Sequence, residues 1–431
     1  MNTRQHADTG AGVVAAPESN LWRNRDFVKL WGSETISQLG SQITVFALPL
    51  TAILTLHATA AELGFVTAAQ FAAIFAVTLF AGVWLDAHQR RPVLFAANLG
   101  RAAIIGLVPV LFAFDALTIP LLCVIALVGG VLTAMFDVAY IVYMPSLVRK
   151  ENLVDANAKL EATYSIAEIG GPGLGGALVQ VFTAPAALLI DAVTYLLAAF
   201  GVGSIRRPEP VPPVRENRAG VWAEIRDGFR TTLGDPILRP LVAVSAWFNM
   251  FERVVLMLYL LYGVRTLHLS PGLLGAVMAA GSLGALAGTA VASRAGRRAG
   301  VGRTVTASIL LGAVALALLP VAHGDSKTLA CAVLISGFVF YGFGLAVFNV
   351  FSLTIRAMII PQDLFGRVTA TYKFISHGTL PLGGLVGGLL AVAFGVREAM
   401  AIAVVALILG AVMFAFTGIR HLTDKDLARD G

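Results

Sequence analysis

Runs of about 20 mainly apolar residues recur along the whole chain, and the arginines and lysines between them are concentrated in every second connection. A helix needs about 20 such residues to cross roughly 30 Å of hydrocarbon, where each backbone N–H and C=O must be satisfied from within the protein. Twelve runs have that length, at approximately 27–54, 61–84, 92–114, 119–143, 161–183, 186–205, 237–263, 272–293, 303–321, 328–355, 367–394 and 398–418. Even parity puts both ends of the chain on one side. Arg23, Arg25 and Lys29 precede the first run, and Arg90, Arg91, Arg149, Lys150, Arg206, Arg207, Arg294, Arg297, Arg298 and Arg420 lie in turns on that side. Only Arg265, Lys327 and Arg397 fall opposite. This bias assigns the basic side to the cytoplasm. The chain is expected to be an all-α integral membrane protein of twelve transmembrane helices, in the inner (plasma) membrane, with cytoplasmic termini.

Composition excludes the main rivals. Of 431 residues, 57% are hydrophobic and 13% charged, with mean hydropathy +0.81, more apolar surface than a soluble core of this size hides. The net charge of +6 is spread over short loops, which reports orientation and not a nucleic-acid patch. Residues 1–20 lack the apolar segment of a secretory signal. Cys123 and Cys331 sit in separate apolar runs, without disulfide or metal spacing, and read as plain buried residues. The seven histidines are scattered, and no H-E-x-x-H, G-x-S-x-G or phosphate-binding loop occurs. An enzyme and an ATP-driven pump are therefore disfavoured, and no cofactor or metal is expected. A non-transporting sensor with a transporter fold would need an added soluble domain to declare itself.

The one long polar break, 206–236, contains RRPEPVPPVRENR and divides the runs six and six. The expected organisation is a tail (1–26), a first helical bundle (27–205), a linker (206–236), a second bundle (237–418) and a tail (419–431). Within the linker Trp222, Ile225, Phe229 and Leu233 recur at helical spacing opposite Glu224, Arg226, Asp227 and Arg230. Such a helix either lies on the inner membrane surface or packs on the bundle. The two halves also share a pattern. Phe136-Asp137 corresponds to Phe348-Asn349, Thr163-Tyr164 to Thr371-Tyr372, and Gly175-Gly176 to Gly383-Gly384. Duplicated halves imply a pseudo-two-fold axis along the membrane normal with a substrate cavity between them.

Ionisable residues inside a span cost about 2.5–3.5 kcal/mol or more, so they face a cavity or a partner. Glu34, Gln38 and Gln42 stand at i, i+4 and i+8 on the first run and form one polar stripe. Asp137 and Arg101 lie at comparable depths, suited to an ion pair that is either functional or merely ordering. Glu161 and Glu168 share a face of the fifth run, Glu168 the deeper. Asn249, Glu252 and Arg253 cluster in the seventh, where Glu252 and Arg253 can satisfy each other. Asp191, Arg356 and Lys373 are nearer span ends and read as interfacial. Desolvation favours the protonated carboxylate, so Glu34, Asp137 and Glu168 are the proton-carrying candidates.

Two segments carry a family likeness. Residues 82–91 read GVWLDAHQRR, similar to G-x-L-x-D-R-x-x-R-R, with Gly82, Asp86, Arg90 and Arg91 in place and Ala87 where the first arginine stands. The run Gly171-Pro172-Gly173-Leu174-Gly175-Gly176 is similar to G-P-x-x-G-G. It also satisfies the dinucleotide pattern G-x-G-x-x-G, which is rejected because it follows no strand. With the opening FVKLWGSETISQLGSQITVFALPL and the loop MPSLVRKENLVDANA, the chain resembles the major facilitator superfamily, in particular the drug:proton antiporters that include macrolide and enterobactin exporters. The resemblance implies a monomer that exports a small amphipathic molecule in exchange for protons. Import and uniport remain the alternatives. Asp86 either locks and releases a neighbouring helix through Arg90 and Arg91, or simply ends its span at the water interface.

Overall fold

The computed structural model of the chain describes residues 21–85, 88–206, 209, 219–324 and 326–421. The described residues form helices and no strands. These are α1 (Arg25–Leu50, continued by a π turn, Thr51–Thr55), α2 (Ala60–Leu85), α3 (Arg90–Ala113), α4 (Ile119–Leu147), α5 (Leu153–Val181) and α6 (Ala184–Gly203). After α7 (Ala219–Gly234) come α8 (Leu238–Arg265), α9 (Pro271–Ala299), α10 (Val301–Ala315), α11 (Leu318–Val321), α12 (Lys327–Ile359), α13 (Gln362–His377), α14 (Leu380–Phe394) and α15 (Val396–Ala415). Among the described residues, ten helical stretches are long and apolar enough to cross a membrane. The other two expected runs fall on α2 and α5, where Glu168, Gln180 and the glycine–proline run dilute the apolar residues of α5.

Local chemistry sets the helix ends. The Asn24 side chain accepts from the Phe27 N–H and starts α1, and Ser270 caps α9 with Pro271 in the first turn. Gly300 (φ +84°) and Gly395 (φ +94°) adopt the backbone that lets α9 and α14 stop and α10 and α15 begin at once. The last carbonyls of α6 take the Arg91 guanidinium at Gly203 (2.6 Å) and the Lys29 ammonium at Ser204 (2.7 Å). Basic residues counted for orientation thus also neutralise a helix C-terminus.

Helices α1–α6 pack on one another, as do α8–α15, and the two sets meet along two seams, α2 on α14 and α5 on α9. Glycines make both seams. A Cβ on Gly176 would lie 2.6 Å from the Pro271 carbonyl oxygen and 2.9 Å from Gly275 Cα. One on Gly384 would lie 2.9 Å from both the Gly64 oxygen and the Ala68 nitrogen. The preceding residue of each pair turns inward, Gly175 onto Phe46 of α1 and Gly383 onto Met250 and Arg253 of α8. The duplicated Gly-Gly pattern therefore does one job twice. It makes α5 and α14 thin enough to touch a helix of their own set on one side and the other set on the other.

These contacts gather at the end where α2 and α9 begin. Toward the opposite end, α13 leaves the seam and packs on α7 and α8. Of the two readings of the linker helix, packing on the bundle is seen. Gly228 of α7 is tight against Arg367 and Thr371 of α13, and Phe229 meets Phe374 with ring centroids 5.9 Å apart. The side chains of Trp222 and Ile225 lie outside the described residues. Cys123 and Cys331 are free but half-buried, not fully buried, because their helices face outward there.

The seams yield a test. Gly176→Ala and Gly384→Ala are expected to lower the unfolding midpoint of the nanodisc-embedded protein by the equivalent of about 1–3 kcal/mol each, the usual range for overpacking. Gly170→Ala, whose Cβ meets nothing within 4 Å, should leave it unchanged or raise it. Similar midpoints for all three variants would show that the seams are not closely packed.

Candidate functional site

The candidate site lies between the two helix sets, on the side of the seams where α13 diverges, where polar side chains of the first set act on those of the second. Its first wall is built on α1, α4 and α5. Glu34 is 1% exposed. Its Oε1 accepts from Gln38 Nε2 (2.7 Å) and from the Tyr164 hydroxyl (2.9 Å), while Oε2 is buried with no hydrogen-bond partner among the described residues. The i, i+4 stripe brings Gln38 to Glu34 as expected, but Gln42 packs beneath Gly171 and does not join them. Asp137 is half-buried and feels the charges of Glu34, Arg101 and, from the other set, Lys373. Glu168 is exposed and acts electrostatically on Glu252 and Tyr341 across the gap.

Arg101 does not form the expected ion pair with Asp137 within 4 Å. Its guanidinium lies between the rings of Phe136 (4.1 Å) and Tyr195 (4.4 Å) and donates to Asn98, one turn earlier on α3. Stacking occupies the guanidinium faces, and Phe136, next to Asp137 in sequence, takes the place on α4 that the carboxylate was expected to take.

The second wall comes from α8, α12 and α13. Glu252 accepts from the Tyr341 hydroxyl, and the Arg253 guanidinium lies 4.4 Å above the Phe71 ring of α2. Glu252 and Arg253 act on each other electrostatically, as expected, but form no ion pair within 4 Å, because neighbours on a helix point about 100° apart. Asn249 serves the backbone. Its Nδ2 donates to the Ser376 carbonyl (2.8 Å), freed where α13 breaks before α14, and Thr379 ties the break to the Ala246 carbonyl (2.8 Å). Such breaks are stable in a membrane only where side chains re-satisfy the freed groups.

The loop resembling the superfamily signature is held by a residue that sequence reasoning passed over. Gly82 lies in α2, and Asp86 lies outside the described residues. The backbone N–H groups of Arg90 and Arg91 both donate to the carboxylate of Glu209 (2.8–3.0 Å), and the Arg90 guanidinium stands 3.6 Å from it. Glu209 is an anion at the N-terminus of α3, a favourable place. It sits in the proline-rich linker, so no local periodicity could pair it with a helix 118 residues away. In the antiporter-like motif, Gly171 and Gly175 face α1, whereas Gly176 and the Pro172 carbonyl face Gly275 of α9.

Asp191, expected at an interface, is fully buried. It accepts from Thr44 and Thr194, and Gly40 leaves the room it fills. Beside it a cavity of about 110 Å³ is lined by Ser41, Thr44, Gln70, Arg101 and Tyr195, among others. Tyr164 and Tyr341, the hydroxyl partners of Glu34 and Glu252, were also unassigned, although Tyr164 stood in the repeat. Among the described residues no group of three His, Cys, Asp or Glu side chains converges as a metal site.

Comparison with known proteins follows the same lines. The sequence profile of the transmembrane secretion effector family matches residues 18–430. The multidrug efflux pump Tap of Mycolicibacterium fortuitum is 28% identical over 402 residues, covering 89% of this chain and 93% of Tap. Macrolide efflux protein A of Streptococcus pyogenes is 22% identical, covering 88% and 92%. A bacterial homologue of the iron transporter ferroportin in its inward-facing state superposes with a TM-score of 0.73 at 19% identity, over 92% of this chain and 98% of that one. The outward-facing state of that homologue gives 0.59 at 18% identity, over 90% and 98%. 

Glu209→Ala is expected to destabilise the protein by about 1–2 kcal/mol, the worth of a charged helix cap, and Glu209→Gln by less. Unfolding midpoints of the two variants check this, and a Glu209→Ala midpoint equal to that of the parent chain would refute it.

Proposed function

We propose that this chain, which belongs to the transmembrane secretion effector family of major facilitator transporters, is a secondary active exporter of a small amphipathic organic molecule, exchanged for protons. One observation carries the reading. A fully buried carboxylate, Glu34, keeps an oxygen without a partner beside a gap that also receives Asp137 and Glu168, and none of the three is ion-paired within 4 Å among the described residues. An unpaired carboxylate in low dielectric is stable when it holds a proton or a cation.

The remaining parts of the reading follow from it. Twelve spans form two bundles of six, with α10 and α11 making one span and α13 and α14 another. The protein is a monomer in the plasma membrane, and the arginine-rich end, with both termini, faces the cytoplasm. The seams then close the outer end, and the gap opens inward. The higher likeness to the inward-facing ferroportin homologue supports this state. Substrate enters the inward-open gap as a carboxylate gives up its proton to the cytoplasm. The sets then rock so that the seams part at the outer end while the cytoplasmic ends close, and a proton from outside displaces the cargo. The efflux activities named for Tap and macrolide efflux protein A support export over import.

The test is proton movement in energised everted vesicles, read with a pH-gradient dye while cationic, zwitterionic and anionic amphipathic compounds are added. Substrate-dependent collapse of the gradient is expected, reduced at least tenfold in Glu34→Gln and substantially in Asp137→Asn and Glu168→Gln. Binding without any proton movement would refute antiport and favour a uniporter or importer.

A further inference from the structure

The two walls of the gap differ in sign. The first carries three carboxylates, Glu34, Asp137 and Glu168, against the guanidinium of Arg101 on α3, which acts on Glu34 and Asp137 while stacked between aromatic rings and hydrogen-bonded to Asn98. The second carries two cations, Lys373 and the Arg253 guanidinium stacked on Phe71, against one carboxylate, Glu252, which accepts from the Tyr341 hydroxyl. Lys373 and Asp137 act on each other across the gap without coming within 4 Å. On each wall a buried charged group is left incomplete. Glu34 Oε2 has no hydrogen-bond partner on the first wall, and Arg253 Nε has none on the second.

We infer that the gap is built for an amphoteric cargo, whose cationic group lies against Asp137 and Glu168, with the buried Glu34 behind them, and whose carboxylate or similar acidic group lies against Arg253 and Lys373. A purely cationic molecule bridging both walls would meet unpaired like charge on the second, and a purely anionic one on the first. Like-charge juxtaposition in a desolvated site is strongly unfavourable, so each wall selects against the molecule that satisfies only the other. The charge order also fixes orientation, since the cargo has to present its base to α1, α4 and α5 and its acid to α8 and α13. The inference rests on the export reading for the location of the cargo, and adds its chemical class.

Matched dyes test it by fluorescence polarisation on the intact protein in nanodiscs. Rhodamine B is zwitterionic, its ethyl ester is a cation on the same skeleton, and fluorescein is an anion. Rhodamine B is expected to bind at least tenfold more tightly than either of the others. Lys373→Met and Arg253→Met should each weaken rhodamine B about tenfold while leaving the ester unchanged or improved, and Lys373→Arg should restore binding. Asp137→Asn should weaken both rhodamine B and the ester. Equal or tighter binding of the ester, no effect of the Lys373 and Arg253 variants, or no binding of rhodamine B overturns the inference. Substrate-dependent proton movement in the vesicle assay would stand in each of those cases. An unfolding midpoint near that of the parent chain separates lost binding from lost folding, and the exposed Lys373 serves should the partly buried Arg253 variant fail to fold.

Discussion

Two helix sets surrounded by lipid have no hydrophobic drive to stay together, because a leucine is as well solvated by acyl chains as by another helix. Cohesion has to come from atoms in direct contact. Here it comes from backbones brought together where side chains are missing, Gly176 on Gly275 and Gly384 on Gly64. Everything polar in the molecule is placed relative to those two seams. They close one end of the space between the sets, and at the other end α13 turns away to pack on α7 and α8.

The buried charges are then handled in three ways. Some are satisfied in place, as Asp191 is by Thr44 and Thr194, or Glu252 by Tyr341. Some are screened by aromatic faces, as are Arg101 and Arg253. The rest, above all Glu34 and Asp137, are left short of partners beside the gap. A structure built only for stability would not retain them, since an unmet buried charge costs several kcal/mol. Their position between the two helix sets is what the proposed proton exchange draws on.

The linker joins this scheme at two points. Glu209 caps α3 at the loop bearing Arg90 and Arg91, and α7 rests on α13 through Gly228 and Phe229. One connection thus grips both helix sets at the end where they are least in contact with each other. Lys29 and Arg91 tighten the same end by binding the last carbonyls of α6.

The sequence by itself determined the all-helical membrane class, the polar stripe of Glu34 and Gln38, the duplicated Gly-Gly pairs and the family. Each of these is written in short-range terms: the length of an apolar run, a spacing of four residues, a repeated local string. Only the tertiary structure decided that Arg101 stacks on Phe136 and Tyr195 and leaves Asp137 without an ion pair, that Asp191 is buried because Gly40 makes room, and that Glu209 meets Arg90 and Arg91. It also decided which wall of the gap is acidic and which basic. Those outcomes depend on helices far apart in sequence arriving side by side, and on which competing partner, an aromatic face or a carboxylate, reaches a charge first. Helical periodicity says which way a side chain points along its own helix, and nothing about what waits on the next one.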